Sequence, residues 1–269
     1  MTVDPREFLK QNDLQGALAA LQDQVRAKPG DAKLRIFLFQ LLCVMGDWKR
    51  AIMQLKLCAE LDAAAIPMAQ TYREAIICEV YREKVFAGEK DPLIFGEPQE
   101  WVALMIEANR ALAQGHPSKA NELRDAAFAQ VPDAGGTLNG ERFDWVADAD
   151  MRLGPLLEII VNGKYFWMPF SAISTLTVDA PEDLRDSVWT AANLTLQNGS
   201  GFVALIPSRY VGTTASGDPM AMMSRTTTWT DLGNDTHVGT GQRLLTTGDS
   251  DVAIMDLREL KMDAVMTDG

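Results

Sequence analysis

An internal repeat constrains this chain more than any other feature. The stretch Asn12-Asp13-Leu14-Gln15-Gly16-Ala17-Leu18 superposes on Gly46-Asp47-Trp48-Lys49-Arg50-Ala51-Ile52, an offset of 34 residues. The second copy lies inside Asp31–Asp62, where Leu34, Phe37, Leu38, Leu41 and Leu42 recur at helical spacing. Gly46-Asp47-Trp48 interrupts them, and Ala51, Ile52, Leu55, Leu57 and Leu61 resume on a second helix. A unit of this kind buries its apolar face only by stacking on neighbours, and the stacked array leaves a curved surface for another polypeptide.

Thirty-four residues is the tetratricopeptide period, so the first half reads as a tetratricopeptide-like helical array. Asp4–Lys10 is a short lead-in, and Asp13–Ala27 is a helix stopped by Lys28-Pro29-Gly30. Ile66–Phe86 is a longer helix whose expected buried stripe is Tyr72, Ile76, Ile77, Val80 and Tyr81. Ala87–Glu97 breaks the pattern with two glycines and a proline and reads as an inserted loop. Pro98–Gln114 and Ser118–Val131 form another hairpin around Gly115-His116-Pro117, and the array ends at Pro132-Asp133-Ala134-Gly135-Gly136.

Beyond Gly136 the texture changes to short runs rich in Val, Ile, Thr and aromatics, punctuated by Gly, Pro and Asn. Leu156–Val161 and Lys164–Met168 flank Asn162-Gly163, a strong hairpin signal. Ile173–Val178, Val188–Leu196, Gly201–Ile206, Thr226–Leu232 and Val252–Met262 are further candidate strands, and the segment 212–219 reads as a mobile surface loop. The expected architecture is multidomain α and β. A tetratricopeptide-like helical domain spans residues 1–134, and a small strand-rich α+β domain spans 137–269 as an antiparallel sheet or small barrel.

Charge separates the halves as well. Residues 1–136 carry a net of −3 and residues 137–269 a net of −9, within a formal total of −12. An acidic strand-rich half disfavours nucleic acid and anionic membrane surfaces as partners. No apolar run reaches the length of a membrane span and no apolar leader follows Met1, so a cytoplasmic location is expected. Cys43, Cys58 and Cys78 fall among apolar neighbours on helices, an odd count without a CxxC motif, which favours buried thiols over disulfides or zinc.

Little in the chain points to catalysis. Asp144, Asp148 and Asp150, with Glu158 beyond, could hold a hard cation through oxygen ligands, and Asp148, Asp150 and Glu158 could then serve a metal-dependent hydrolase. The spacing matches no loop of fixed ligand positions, and Arg152 offers the alternative of a salt-bridged structural cluster. No GxSxG or phosphate loop occurs, and His116 and His237 read as loop residues. No cofactor, metal or catalytic residue is therefore expected. The Met220-Ala221-Met222-Met223 cluster reads as internal packing before it reads as a contact surface.

Four ordered phrases carry a family resemblance. They are Asp148-Ala149-Asp150-Met151-Arg152-Leu153-Gly154-Pro155, then Glu158 with Asn162-Gly163-Lys164-Tyr165-Phe166-Trp167-Met168-Pro169. Leu184-Arg185-Asp186-Ser187-Val188-Trp189 and Ile206-Pro207-Ser208-Arg209-Tyr210 follow. In this order they resemble the ImpE/SciE/TagJ family of type VI secretion accessory proteins, over nearly the whole chain. Thr190 and Val211 depart from the family, where proline is expected after the tryptophan and after Arg-Tyr. The resemblance implies a non-enzymatic adaptor. Its implied partners are the small subunit of the contractile sheath, bound through an N-terminal helix, and the AAA+ ATPase that disassembles contracted sheaths. A general protein-binding chaperone is the other non-catalytic reading. The motif residues Asp148, Asp150, Arg152, Gly154, Trp167, Pro169, Arg185, Asp186, Trp189, Arg209 and Tyr210 are expected to specify the fold more than to contact a partner, with Trp167 and Trp189 in the sheet core. Arg152, Arg185 and Arg209 are candidates for internal pairing with Asp148, Asp150 or Asp186.

Overall fold

A computed structural model describes residues 4–234 and 236–264. Seven helices form the first half: α1 (Pro5–Lys10), α2 (Leu14–Ala27), α3 (Ala32–Val44), α4 (Trp48–Leu61), α5 (Ile66–Phe86), α6 (Glu100–Ala113) and α7 (Pro117–Phe128). The 34-residue offset is visible in backbone detail. Asn12 and Gly46 both take the left-handed conformation that ends a helix, at φ +60° and +73°. The aspartates that follow are both N-caps, Asp13 accepting from the Gly16 amide at 2.8 Å and Asp47 from the Arg50 amide at 3.2 Å. Buried Leu14, Ala17, Leu18 and Leu21 on α2, and Ala51, Leu55 and Cys58 on α4, supply the packed faces.

The second half is built on a nine-stranded sheet. Its strands are β1 (Leu93–Ile94), β2 (Gly136–Leu138), β3 (Glu141–Phe143), β5 (Leu156–Val161), β6 (Lys164–Pro169), β7 (Ile173–Val178), β8 (Trp189–Leu196), β9 (Gly201–Pro207) and β14 (Glu259–Met262). Their spatial order is β1-β6-β5-β9-β8-β7-β14-β2-β3. All pairs are antiparallel except β1 with β6, so the sheet is mixed, and its linear order makes it open rather than a barrel. Two small sheets accompany it. One joins β4 (Ala147–Asp148), β12 (Leu244–Thr246) and β13 (Asp251–Ala253), and the other pairs β10 (Thr227–Asp231) with β11 (His237–Gly241).

Three expectations are corrected here. The 87–97 insertion is not all loop, because Leu93 and Ile94 add a parallel edge strand beside Phe166 and Trp167. Val252–Met262 is two strands separated by a turn rather than one. The 212–219 segment is ordered around a short 3-10 turn, Thr213–Ser216, with Thr213 buried and the Thr214 methyl against Gly46. A Cβ on Gly46 would lie 2.8 Å from that methyl, so this turn seats on the corner between α3 and α4.

Alternation along β5 explains how the halves meet. All six of its residues are buried, so the strand has core on both faces. Leu156 and Ile160 join the cluster that includes Leu41, Leu42, Ile76, Trp101, Trp167 and Trp189, on the helical side. Leu157, Ile159 and Val161 join the other cluster, with Phe143, Leu176, Leu245 and Leu260. The period of two places Glu158 between Leu156 and Ile160, facing the helices. A carboxylate is thereby delivered into the seam.

Candidate functional site

Glu158 is fully buried and every lone-pair direction of its carboxylate is used. Oε1 accepts from Arg82 Nε at 2.6 Å and from the Tyr165 hydroxyl. Oε2 accepts from Arg82 Nη2 at 2.9 Å and from Arg243 Nη2. Arg82 comes from α5, and its Nη1 also reaches Glu79 one turn back at 3.3 Å. Arg243 bridges onward to Asp148 Oδ2, while Asp148 Oδ1 accepts the Asp150 amide at 2.8 Å. Asp150 holds Arg152 through Nε at 2.9 Å and Nη2 at 2.6 Å, and takes the Gly239 amide at 2.9 Å. One network of ion pairs and a backbone amide thus runs from the helical half through β5 to the β11 ribbon.

The carboxylates expected as candidate cation ligands are therefore engaged by guanidinium and amide donors. Among the described residues no group of acids, cysteines or histidines has metal-holding geometry. Asp144 is exposed and stands outside the network. Burial pushes the Asp148 carboxyl up to about 6, against the pull of Arg243. Glu158 is held down at about 2, because Arg82 and Arg243 outweigh its desolvation. The two acids therefore act oppositely on stability. Asp148 binds its proton more tightly folded than unfolded, so its contribution improves as pH falls through about 6 towards its ordinary value of 3.8. Glu158 contributes stability above its ordinary 4.5 that is lost as pH falls towards 2. Asp148→Asn is expected to abolish the first of these slopes. Its stability relative to wild type should be highest near pH 7 and should decline as pH drops below about 6, read by urea unfolding at a series of pH values.

The other motif residues fall around the same seam. Arg209, on the bridge that follows β9, pairs with no carboxylate among the described residues. Its Nη1 donates to the Val44 carbonyl at 2.7 Å and to the Met222 carbonyl, and its Nη2 donates to the Cys43 carbonyl at 2.8 Å. Trp189 is buried against Tyr72 and Trp48 and donates its indole N–H to Glu79 at 3.0 Å. Trp167 is buried with its N–H on the Tyr165 oxygen at 2.7 Å, beside Phe86. Pro169 ends β6 and Gly154 takes φ +52° under the Phe128 ring. Tyr210 receives the Leu244 amide on its hydroxyl at 3.0 Å. Arg185 pairs with Asp183 at 2.5 Å and lies over the Tyr72 ring, while Asp186 accepts the Glu182 and Asp183 amides at 2.8 Å. His116 and His237 are both exposed.

Sequence reasoning did not single out Glu79, Arg82 or Arg243. Arg243 sits in Gly241-Gln242-Arg243, which carries no recognisable spacing. Arg82 was detectable only as a charge on the inward face of α5, and the expected stripe there was wrong in the same place. Ile77 and Val80 are 48% and 41% exposed, and the buried positions are Ala69, Tyr72, Ala75, Ile76, Cys78, Glu79, Arg82 and Val85.

Those outward residues make a second feature. Ile77 and Val80 of α5 face Trp48, Lys49 and Ile52 of α4 across an open apolar groove of about 540 Å³, floored by Ile76. Met53, Leu61 and Ile66 are exposed on the same two helices.

The model of the ImpE protein family matches residues 140–261, the stretch that holds Asp148, Glu158, Arg209 and Arg243. The chain is 51% identical over 257 residues to the type VI secretion system accessory component TagJ of Pseudomonas aeruginosa, covering 96% of this chain and 90% of that one. The chain belongs to the ImpE/TagJ family. A crystal structure of protein VPA1032 from Vibrio parahaemolyticus is similar throughout. Its TM-score is 0.86 at 26% identity, over 96% of this chain and 97% of that one. The ImpE/TagJ chain is accordingly a type VI secretion accessory protein in which helical and strand-rich halves share one charged seam. Among its described residues no helix is long and apolar enough to cross a membrane.

Proposed function

We propose that this chain is a non-catalytic cytoplasmic adaptor of a type VI secretion apparatus. Its tetratricopeptide-like half takes an amphipathic helix of the small sheath subunit, and the complex serves the AAA+ ATPase that disassembles contracted sheaths. The α4–α5 groove supports this reading, because it leaves Ile77 and Val80 exposed beside the half-buried Trp48 and Ile52 of the adjacent helix. A helix laid in such a groove is gripped by anchors at spacings of three and four residues. The motif residues act behind this surface: Glu158 and Arg209 fix α5 and the end of α3 against the sheet.

The test uses the purified full chain and a fluorescent peptide of the small sheath subunit's N-terminal helix. Binding at micromolar concentration is expected, and Ile77→Asp with Val80→Asp should weaken it at least tenfold, about 1.4 kcal/mol. Both side chains are exposed, so the thermal midpoint should hold. No binding by the wild-type chain, or equal binding by the double variant, would count against the reading.

A further inference from the structure

The ribbon of β10 and β11 is held from one side only. On β11 four of the backbone groups pointing away from β10 are held by nitrogen or oxygen partners. The Gly239 and Gly241 amides donate to Asp150 Oδ2 and Thr213 Oγ1, both at 2.9 Å. The His237 and Gly241 carbonyls accept from the Met151 and Tyr210 amides at 3.2 and 2.9 Å. A Cβ on Gly239 would lie 2.2 Å from the Tyr210 ring, so glycine lets the strand lie flat on that side chain. Two family-motif residues, Asp150 and Tyr210, thus clamp the inner strand.

The outer strand has the opposite character. Thr226 and Leu232 turn their backbone groups towards β11, through the Gln242 amide to the Thr226 carbonyl and the Leu232 amide to the Thr236 carbonyl. Alternation then turns Thr227, Trp229 and Asp231 outward, and among the described residues β10 has no second neighbour in its sheet. Thr228 to Asp231 are exposed, with Trp229 at 40% despite ring contact with Tyr210 at 5.6 Å. No lysine, proline or bulge guards this edge, the usual protections against strand addition.

We propose that two copies of this chain pair β10 with β10 antiparallel about a two-fold axis at Trp229, making one continuous sheet from both ribbons. The sequence Thr227-Thr228-Trp229-Thr230-Asp231 suits this occupant. Centred on Trp229, Thr228 meets Thr230 of the second copy, and Asp231, the strand's one charge, meets Thr227. No like charges oppose each other, which is the electrostatic condition for a self-complementary edge. Each outward N–H of one copy faces an outward C=O of the other, and the clamped inner strand presets the geometry before association. The α4–α5 groove takes no part in this contact, so the proposal stands apart from the reading given above.

Sedimentation equilibrium of the full chain is expected to show concentration-dependent dimers. Trp229→Lys sets two ammonium groups together on the axis and should give monomers that keep the wild-type far-UV circular dichroism. Trp229→Cys should yield a disulfide-linked dimer on mild oxidation, since hydrogen-bonded antiparallel partners have Cα atoms about 5.5 Å apart, within disulfide reach. The three native cysteines are buried and give no background. A chain that stays monomeric at every concentration would overturn the proposal. So would a dimer that survives Trp229→Lys while Trp229→Cys fails to cross-link.

Discussion

Glu158→Gln is expected to destabilise the fold by about 3–5 kcal/mol, the cost of breaking a buried ion pair from one side. Glutamine keeps the shape of the side chain and removes its charge. Its amide nitrogen must then point at a guanidinium, setting donor against donor in a site with no water-facing escape. Arg82 keeps Glu79 and Arg243 keeps Asp148, so each retains one weaker partner. For a chain of this size the loss corresponds to a fall in thermal midpoint of roughly 10 °C, read by calorimetry. Adding Arg82→Met should recover part of the deficit, because the second change removes one of the cations that the first left unmatched. A single variant within about 1 kcal/mol of wild type would mean that the seam does not hold the halves together.

Some of this arrangement was legible from residues alone and some was not. Asn162-Gly163 announced its hairpin, and both residues take the positive φ that such a turn demands, at +49° and +69°. Leu156–Val161 and Ile173–Val178 were readable to the residue because apolar β-formers end abruptly at turn chemistry. Leu93 and Ile94 were not, since two residues become a strand only when β6 is already in place. The α5 stripe failed for a different reason. Apolar residues mark a face that wants covering, and periodicity does not say whether this chain or another covers it. Ile77 and Val80 were assigned inward, when the inward positions are Glu79 and Arg82, residues that enter a core only with their charges matched. The matching acid lies 76 residues further on in Glu158, and local spacing cannot reveal such a partner. The ordered phrases around Asp148, Asp150 and Arg209 marked the family from the start. Their engagement in the seam became visible only with the fold.

Arg209 carries the second large expected effect, through carbonyls rather than carboxylates. A helix ends with carbonyls that lack intrahelical donors and with the negative end of its dipole. Cys43 and Val44 are the last residues of α3, and their buried carbonyls take the charged fork of Arg209. The same guanidinium takes the Met222 carbonyl, and the Arg209 carbonyl accepts Arg82 Nη2 at 3.0 Å. Burial without a carboxylate pulls its pKa down to about 10, still far above neutrality, so it remains a cation at working pH. Arg209→Met should strand the buried Val44 and Met222 carbonyls at about 1–3 kcal/mol each, while the Cys43 carbonyl keeps the Gly46 amide at 3.1 Å; a total loss of about 4 kcal/mol is expected, measured as the midpoint of urea unfolding. Arg209→Lys should recover less than half of that loss, since one ammonium cannot span carbonyls that a planar fork reaches together. Full rescue by lysine would show that charge at the end of α3 matters and the fork does not. A small loss in both variants would place the hold between the halves on apolar contact around Trp189 and Tyr72 instead.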